Sequence, residues 1–356
     1  MLGEDFEVWI EEPIARGSHA MTSVHNFLIV YGGLDMHSGI VYNELCIYNT
    51  INDTWDLNLA PSHTDYRVVS SAICAVGNLI YIFGGAHPIV SQETNSLISF
   101  DLSSGSWKTL SSHTNEYDTN APLPMYDSCI FYHNESLYIL GGFSNDTFLN
   151  TMFKFCLKTS KWTLVPQNGH KLRSKKRIFV TIFKNKLYCF GGYLENETDR
   201  LKHVNIFDFS KNVWITRETH SKNEEFPLHR NYQSFVFSST FGYLSGGEDQ
   251  QEYYHGIWKI DLESLEWFKL DYSLRCGRYK HNMAVIEDSI LYVFGGKCAH
   301  RICRDKLERC TVQPPKLYRL CLETIGRSPN QRSISKPLPQ SIVDELNQPP
   351  PPLSLS

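Results

Sequence analysis

A short apolar run ending in two glycines recurs six times along this chain and constrains its fold more than any other feature. Successive pairs begin 49 to 57 residues apart, which is the period of a propeller blade rather than of a helical hairpin. The pairs are Gly32-Gly33, Gly84-Gly85, Gly141-Gly142, Gly191-Gly192, Gly246-Gly247 and Gly295-Gly296. A tryptophan follows each of the first five pairs after 20 to 22 residues, at Trp55, Trp107, Trp162, Trp214 and Trp267. Two markers in one phase indicate a true structural repeat.

The second repeat illustrates the strands that each copy predicts. Residues 69–75, 79–83, 97–102 and 107–110 are predicted as strands, and turn residues such as Gly77-Asn78 separate them. This pattern predicts a four-stranded antiparallel meander. Because one such sheet cannot bury both of its faces, the sheets must pack around an axis. The predicted fold class is therefore all-β, a six-bladed β-propeller.

The sixth repeat is incomplete. A third strand is predicted at residues 306–312, but no tryptophan follows it. The missing strand has a counterpart at residues 6–10, which include Trp9. We therefore predict that the N-terminal strand completes blade 6 and leaves no open sheet edge. The alternative is a frayed N-terminus with an incidental tryptophan.

Composition and order along the chain define three regions. We predict a propeller at residues 1–312, two short helical segments at residues 313–346 and a disordered Pro-rich tail at residues 347–356. A formal net charge of −4 argues against nucleic acid as a partner. No apolar run approaches 18 residues and the N-terminus is acidic, so neither a membrane span nor a secretory signal is expected. The predicted location is the cytoplasm or the nucleus.

Signals of catalysis or metal binding are weak. No phosphate-binding loop, nucleophile elbow or HExxH motif occurs, so we expect neither an enzyme nor a cofactor. Three thiols and an imidazole lie close together at Cys298, His300, Cys303 and Cys310, but they lack a Cys-x-x-Cys pair. We expect no metal there. His19 and His281 open first strands near the axis, where histidines usually have a structural role.

A recurring arginine precedes the first strand of five blades. The five are Arg16, Arg67, Arg177, Arg230 and Arg278, while blade 3 has Met125-Tyr126-Asp127 instead. In a four-stranded meander these positions and the loops after the glycine pairs share one face, with Tyr193, Tyr232 and Lys297. A ring of guanidinium groups suits a carboxylate or an acidic peptide, with Arg230 as the first candidate. Alternatively, the arginines hold adjacent blades together through bonds to backbone.

Two amphipathic segments follow the last repeat. Helical spacing places Leu317, Leu320, Cys321 and Ile325 on one side of a first helix, which Gly326 ends. Leu338-Pro339 begins a second short segment, with Ile342, Val343 and Leu346 as its apolar residues. Such helices either brace the last blade or offer an exposed apolar stripe to a partner.

The double glycine, the spaced aromatic and the tryptophan resemble the kelch repeat over residues 6–312. Leu317, Cys321 and Ile325 resemble the elongin-binding box of cullin-2 substrate receptors, although Lys316 stands where that family has a small residue or proline. Leu338, Pro339, Ile342 and Leu346 resemble the companion cullin box. The resemblance implies the substrate-recognition subunit of a cullin-2/elongin BC ubiquitin ligase.

Several receptors of this kind bind the glycine-ended C-termini of target proteins on the top face of the propeller. At residues 193–196 this chain lacks the basic residues that diglycine-reading relatives have there. The resemblance therefore implies a top-face pocket for target peptides without fixing its specificity. A non-ligase kelch scaffold, such as a cytoskeletal or signalling adaptor, remains the alternative.

Overall fold

The computed structural model is a ring of six β-sheets, one for each glycine-pair repeat, and two short helices follow the last sheet among the described residues. The predicted six-bladed propeller is confirmed. The predicted strand at residues 6–10 lies outside the part of the chain that the structure describes. That part comprises residues 13–60, 67–90, 92–170, 172–193, 201–249, 252–298, 307–329 and 338–347.

The first strand of every blade lines the central channel, a cavity of about 530 Å³. These strands are Ala20–Val24, Ala72–Val76, Cys129–His133, Lys176–Phe183, Ser234–Phe237 and Asn282–Ile286. In blade 2 the strand begins three residues later than predicted. The reason is that Ser70 adopts a positive φ of 57° and Val69 pairs with Ala86 instead.

The second strands are the most buried, as their uninterrupted apolar runs predict. In blades 1, 3 and 6 all five residues of the strand are buried. The second strands are Phe27–Tyr31, Leu79–Phe83, Ser136–Leu140, Lys186–Tyr193, Phe241–Ser245 and Ile290–Phe294.

The third and fourth strands complete the antiparallel meanders. Third strands are Glu44–Asn49, Leu97–Asp101, Met152–Cys156, His203–Asp208, Gly256–Asp261 and Leu307–Thr311. Fourth strands are Thr54–Leu59, Ser106–Ser111, Lys161–Leu164, Val213–Glu218 and Trp267–Ser273. Each fourth strand carries the tryptophan of its repeat, and blade 6 has three strands within the described residues.

Additional short strands lie outside the four-stranded meanders. Asn168–Gly169 runs parallel to the fourth strand of blade 4. The other pairs lie on the top face, which we define as the face carrying the loops before the first strands and after the glycine pairs. They are Ala86–His87 with Gln92–Glu93, Phe143–Ser144 with Thr147–Phe148, and Arg278–Tyr279 with Lys297–Cys298.

Apolar clusters fill all six seams between neighbouring blades. The cluster between blades 6 and 1 contains Tyr292, Phe294, Leu28 and Trp55, so the ring closes by packing as well as by backbone contacts. The other five seams have equivalent clusters. Each blade thus buries its two faces against its neighbours, which one isolated sheet cannot do.

Glycine is required where neighbouring blades approach each other most closely. Gly84 has a positive φ of 65°, and a Cβ atom at this residue would lie 2.6 Å from the carbonyl oxygen of Met125 in the next blade. Gly85 then donates a backbone hydrogen bond to that same oxygen at 2.9 Å. The glycine pair therefore marks each blade seam on the top face.

Helix α1 spans Leu317–Gly326 and helix α2 spans Gln340–Asn347. Both predicted helical segments are present, with α2 beginning one residue after Pro339. The helices pack against the turns of blade 1, where Ile51, Leu322 and Leu346 form a small buried cluster. These turns lie opposite the top face, so the helices sit on the bottom face.

Candidate functional site

Three of the predicted arginines are buried and share one arrangement. Each side chain is 4% exposed or less, and its Nη1 donates to the carbonyl oxygen of the first glycine in the pair of its own blade. The pairs are Arg16 with Gly32 (3.3 Å), Arg230 with Gly246 (3.2 Å) and Arg278 with Gly295 (3.3 Å). The guanidinium thus satisfies a buried carbonyl at the turn after the second strand.

The remaining contacts of these guanidinium groups are also internal. Arg16 pairs with Glu44 at 2.8 Å and Arg278 pairs with Glu308. Arg230 donates to the carbonyl of Leu228 at 2.9 Å and lies over the ring of Tyr254 at 4.1 Å. Burial lowers the pKa of Arg230 to about 10. This arrangement matches the packing alternative rather than a ring of arginines open to a ligand.

Two residues after each of these three arginines, and at the equivalent position of the other three blades, the backbone adopts a left-handed conformation. The six residues have φ values of 54° to 57°, which is uncommon for residues other than glycine. We call them the mouth ring: Ser18, Ser70, Asp127, Arg177, Tyr232 and Lys280. Arg177 therefore belongs to the mouth ring, and Lys175 takes the place that Arg16 has in blade 1.

Backbone hydrogen bonds join the mouth ring at five of the six blade seams. The bonds run from the N–H of Ser18 to Lys280 (3.1 Å), Ser70 to Ser18 (2.8 Å), Asp127 to Ser70 (3.0 Å), Arg177 to Asp127 (2.8 Å) and Lys280 to Tyr232 (3.0 Å). Among the described residues no such bond joins Tyr232 to Arg177. Instead, the Arg177 guanidinium lies 4.5 Å from the centre of the Tyr232 ring.

The glycine pairs show the same opening between blades 4 and 5. At the other five seams, a carbonyl oxygen of the next blade lies within 3.0 Å of the position that a Cβ on the first glycine would take. At Gly191 the nearest atoms are in the side chains of Phe179, at 3.5 Å, and Gln233, at 3.7 Å. We call this place the open seam.

Charged and aromatic side chains surround the open seam. Arg177 is 21% exposed, and its Nε lies 3.0 Å from Oδ1 of Asp127. Tyr232 lies between two cations, because Lys280 Nζ is 4.9 Å from its ring centre. Burial and the neighbouring Arg177 lower the pKa of Lys280. Tyr279 extends the aromatic surface, 6.1 Å from Tyr232.

A cavity of about 130 Å³ lies directly beneath the mouth ring. Arg177, Gln233 and Lys280 line it together with Ser71 and Ser128. The buried hydroxyl groups of these two serines have no hydrogen-bond partner within the described residues. Buried polar groups are normally paired, so this cavity can accept polar ligand atoms or water.

The remaining predicted residues are dispersed over the top face. Arg67 and Lys297 are exposed, and Lys297 pairs with Tyr279 in a short ladder. Tyr193 ends the second strand of blade 4, and its side chain lies outside the described residues. Sequence reasoning missed Lys280 and Asp127. Aligning the repeats on the buried arginine would have found both.

The two axial histidines have structural positions. A Cβ on Gly246 would collide with the ring of His281, and one on Gly295 would lie 3.0 Å from Cε1 of His19. Burial, and then the charge of Arg16, lower the pKa of His19 to about 3. Burial also lowers the pKa of His281. Both rings therefore favour the neutral form and fill the space that the missing Cβ atoms leave.

The cysteine group of blade 6 is only partly described. Cys298 lies on the top face with its sulfur 2.7 Å from that of Cys276, whereas Cys310 lies within the third strand. His300 and Cys303 lie outside the described residues. Within the described part of the chain, no three His, Cys, Asp or Glu side chains are placed to hold a metal ion.

Helix α1 docks on blade 1 through a fully buried arginine. Arg319 donates to Glu323 (2.7 Å), to Oδ1 of Asn26 (2.7 Å) and to Oγ1 of Thr50 (2.7 Å). Arg309 of blade 6 also pairs with Glu323 at 2.8 Å. Although burial raises it, the bonds from Arg319 and Arg309 hold the pKa of Glu323 below its usual value. One face of α1 is thus fixed to two blades.

The opposite face of α1 is apolar and exposed. Leu317 is 76% exposed and Leu320 is 42% exposed, and Tyr318 and Cys321 are exposed beside them. Ile325, the last predicted residue of the elongin-binding box, is half-buried at the cluster with α2. The box residues therefore divide between an open stripe and an internal contact.

The predicted cullin-binding residues follow a similar division. Leu346 is fully buried against Ile51 and Leu322, and Leu338 and Ile342 pack against this cluster while remaining half-buried. Pro339 is exposed. Helix α2 is thus anchored by Leu346 at its C-terminal end and leaves Pro339 accessible at its start.

A family model described as the KLHDC2/KLHL20/DRC7 Kelch-repeats domain matches residues 18–178 and 165–334. The chain belongs to this Kelch-repeat family. The second match extends through blade 6 and helix α1. The resemblance of the repeats to kelch motifs is thereby confirmed.

Several relatives are similar over most of the chain. Kelch domain-containing protein 10 of Homo sapiens is 23% identical over 300 residues, which cover 80% of this chain and 66% of that protein. The Drosophila melanogaster homolog is 24% identical over 353 residues, 88% of this chain and 57% of that protein. The chain thus spans slightly less than two thirds of the human relative's length.

One relative has an enzyme name. The N-(sulfonatooxy)prop-2-enimidothioate sulfolyase of Thlaspi arvense is 22% identical over 284 residues, which cover 72% of this chain and 79% of that protein.

In the described part of our chain, no helix has the length and apolar character needed to cross a membrane.

Proposed function

We propose that this chain is a non-catalytic substrate-recognition subunit of a cullin-2/elongin BC ubiquitin ligase. In this proposal the top face binds target proteins, α1 binds elongin C, and α2 contributes to cullin-2 binding. The exposed apolar stripe of α1 carries the proposal. A brace needs only the docked face, on which Arg319 lies, whereas Leu317, Leu320 and Cys321 remain open to a partner groove.

Anchoring of α1 supports this role. The buried bonds of Arg319 and Glu323 hold the helix in place before any partner arrives. A partner that binds a preformed helix does not have to order it, which lowers the entropic cost of association. The stripe is therefore presented in a fixed orientation on the bottom face, opposite the mouth ring.

For the target, we propose that a peptide carboxylate binds at the open seam. Arg177 has five N–H donors: its Nε is ion-paired with Asp127 without a hydrogen bond, and its Nη2 donates to Ser70 at 3.5 Å. Lys280 supplies a second cation, and among the described residues the backbone N–H of Tyr232 lacks the bond that its equivalents make. A terminal carboxylate offers the acceptors and the negative charge that this set can bind.

Co-purification with elongin B and elongin C tests the adaptor role. We expect Leu317→Ala combined with Cys321→Arg to abolish elongin binding, because an apolar anchor is removed and a charge is placed on the stripe. A single substitution on the stripe, Leu320→Arg, has a matched control in Leu164→Arg. Leu320 is 42% exposed on α1, and Leu164 is 45% exposed on the outer strand of blade 3.

In the same assay Leu320→Arg should lose elongin while Leu164→Arg retains it. The melting temperature of each variant shows that the propeller is folded. Elongin recovery equal to wild type in the Leu317/Cys321 variant would exclude the adaptor role. A folded wild-type chain that recovers no elongin would favour the scaffold alternative.

A further inference from the structure

Three aromatic rings surround the ammonium group of Lys176 on the top face. Lys176 Nζ lies 4.5 Å from the ring centre of Phe143 and 5.7 Å from the ring centres of both Tyr126 and Phe148. Burial lowers the pKa of Lys176, with Asp127 acting in the opposite direction. The three rings therefore form an aromatic cage, and a cation of the same chain occupies it.

The backbone holds the cage in place. Tyr126 and Phe143 exchange two hydrogen bonds, at 3.1 and 2.9 Å. Phe143 pairs with Phe148 across a two-residue hairpin, and their ring centres are 5.0 Å apart at an angle of 66°. The rings are thus fixed by ladder contacts and do not depend on Lys176 for their positions.

Core packing does not account for these rings. All three are half-buried, and the apolar cluster between blades 2 and 3 contains Met125 and Leu149 but none of the three. The other blade clusters of described residues do not contain them either. Aromatic residues held outside the core are enriched at interaction surfaces.

We propose that the Tyr126–Phe143–Phe148 cage is a binding subsite for an alkylammonium group of a ligand, which displaces the side chain of Lys176. The resident ammonium indicates the chemistry that the cage accepts. A methylated ammonium is less strongly hydrated than Lys176 and therefore gains more from the ring faces. Lys176 precedes Arg177 in the chain, so the subsite lies beside the mouth ring and goes beyond carboxylate binding at the open seam.

Removing the resident cation tests the proposal directly. We would titrate wild type and Lys176→Gln with tetramethylammonium chloride against matched sodium chloride, and follow the NMR signals of labelled Phe and Tyr rings. A tethered side chain competes at a high effective concentration, so Lys176→Gln should bind the probe about tenfold more tightly than wild type. Adding Phe143→Leu to Lys176→Gln should remove the gain.

Lys259→Gln is the matched control, because Lys259 Nζ lies over two rings of the described residues, Phe241 at 4.7 Å and Phe268 at 5.3 Å, rather than three. This variant should gain no affinity. A second probe, a tripeptide with a central trimethyl-lysine, tests whether the cage binds a methylated protein side chain as well as a free quaternary ammonium ion. Equal tetramethylammonium binding by wild type, Lys176→Gln and Lys259→Gln would overturn the proposal, and thermal melting verifies the fold independently.

Discussion

The seam between blades 5 and 6 and the open seam between blades 4 and 5 are built from the same repeat but differ in what joins them. At the first, Lys280 donates to the carbonyl of Tyr232 and Gly247 donates to that of Arg278. At the second, the described residues of the mouth ring meet through the Arg177 guanidinium and the Tyr232 ring, without a backbone bond between them. The repeat closes the ring with backbone bonds and buried arginines, and one seam replaces the bond with accessible charged and aromatic groups.

This difference predicts unequal costs for two arginine substitutions. Arg278→Ala leaves Glu308 buried without its partner and should lower the free energy of unfolding by about 3–5 kcal/mol. Arg177→Ala breaks an ion pair in which the guanidinium is 21% exposed and the Asp127 carboxylate is 8% exposed, and should cost less, about 1–3 kcal/mol. Chemical denaturation of both variants measures the two costs. Similar losses would show that Arg177 is also a packing residue.

Alanine substitutions in the glycine pairs sharpen the same comparison. Both Gly246 and Gly191 have a positive φ, so alanine at either should cost about 1–3 kcal/mol in backbone strain. At Gly246 the new Cβ would also lie 2.5 Å from the carbonyl of Arg278, which adds about 1–3 kcal/mol of overpacking. At Gly191 the nearest atom is 3.5 Å away.

Denaturant midpoints for Gly246→Ala and Gly191→Ala therefore should differ, with Gly246→Ala the less stable. The opposite order would mean that blades 4 and 5 are in closer contact at the mouth than the backbone contacts indicate.

Acid should weaken the seams that histidines fill. The pKa of His19 is lowered from 6.5 to about 3, so between these values the unfolded chain binds a proton that the folded chain does not. The contribution of His19 to the free energy of unfolding is complete above pH 6.5. It decreases by about 1.4 kcal/mol per pH unit as the pH is lowered from 6.5 to about 3. His19→Gln should reduce this slope in pH-dependent melting, while the exposed His25→Gln should not. Equal slopes in all three proteins would contradict this assignment.

The repeats could be predicted from sequence because glycine pairs and tryptophans are local signals in one phase. The mouth ring could not, because its positive φ values occur at Ser, Asp, Arg, Tyr and Lys residues. For the same reason Arg177 was predicted in the place that Lys175 takes. The wider separation at Gly191 depends on packing between blades, which no local pattern records.

The C-terminal helices show a second limit. Their apolar spacing predicted the two segments and their approximate ends. The docked face of α1 depends on Asn26 and Thr50, which are 293 and 269 residues away from Arg319 in the chain. Since a charged residue on a helix is normally exposed, a buried Arg319 could not be predicted from the sequence.

The most direct test of the open seam uses one target peptide in two forms, with a free and with an amidated C-terminus, selected by binding to wild type. We predict that amidation weakens binding at least about thirty-fold, because a charge-assisted contact typically contributes about 2–5 kcal/mol. In Arg177→Ala the two forms should bind with similar affinity, whereas the distant exposed Lys161→Ala should discriminate as wild type does. Equal affinity of wild type for both forms would contradict carboxylate binding at the open seam.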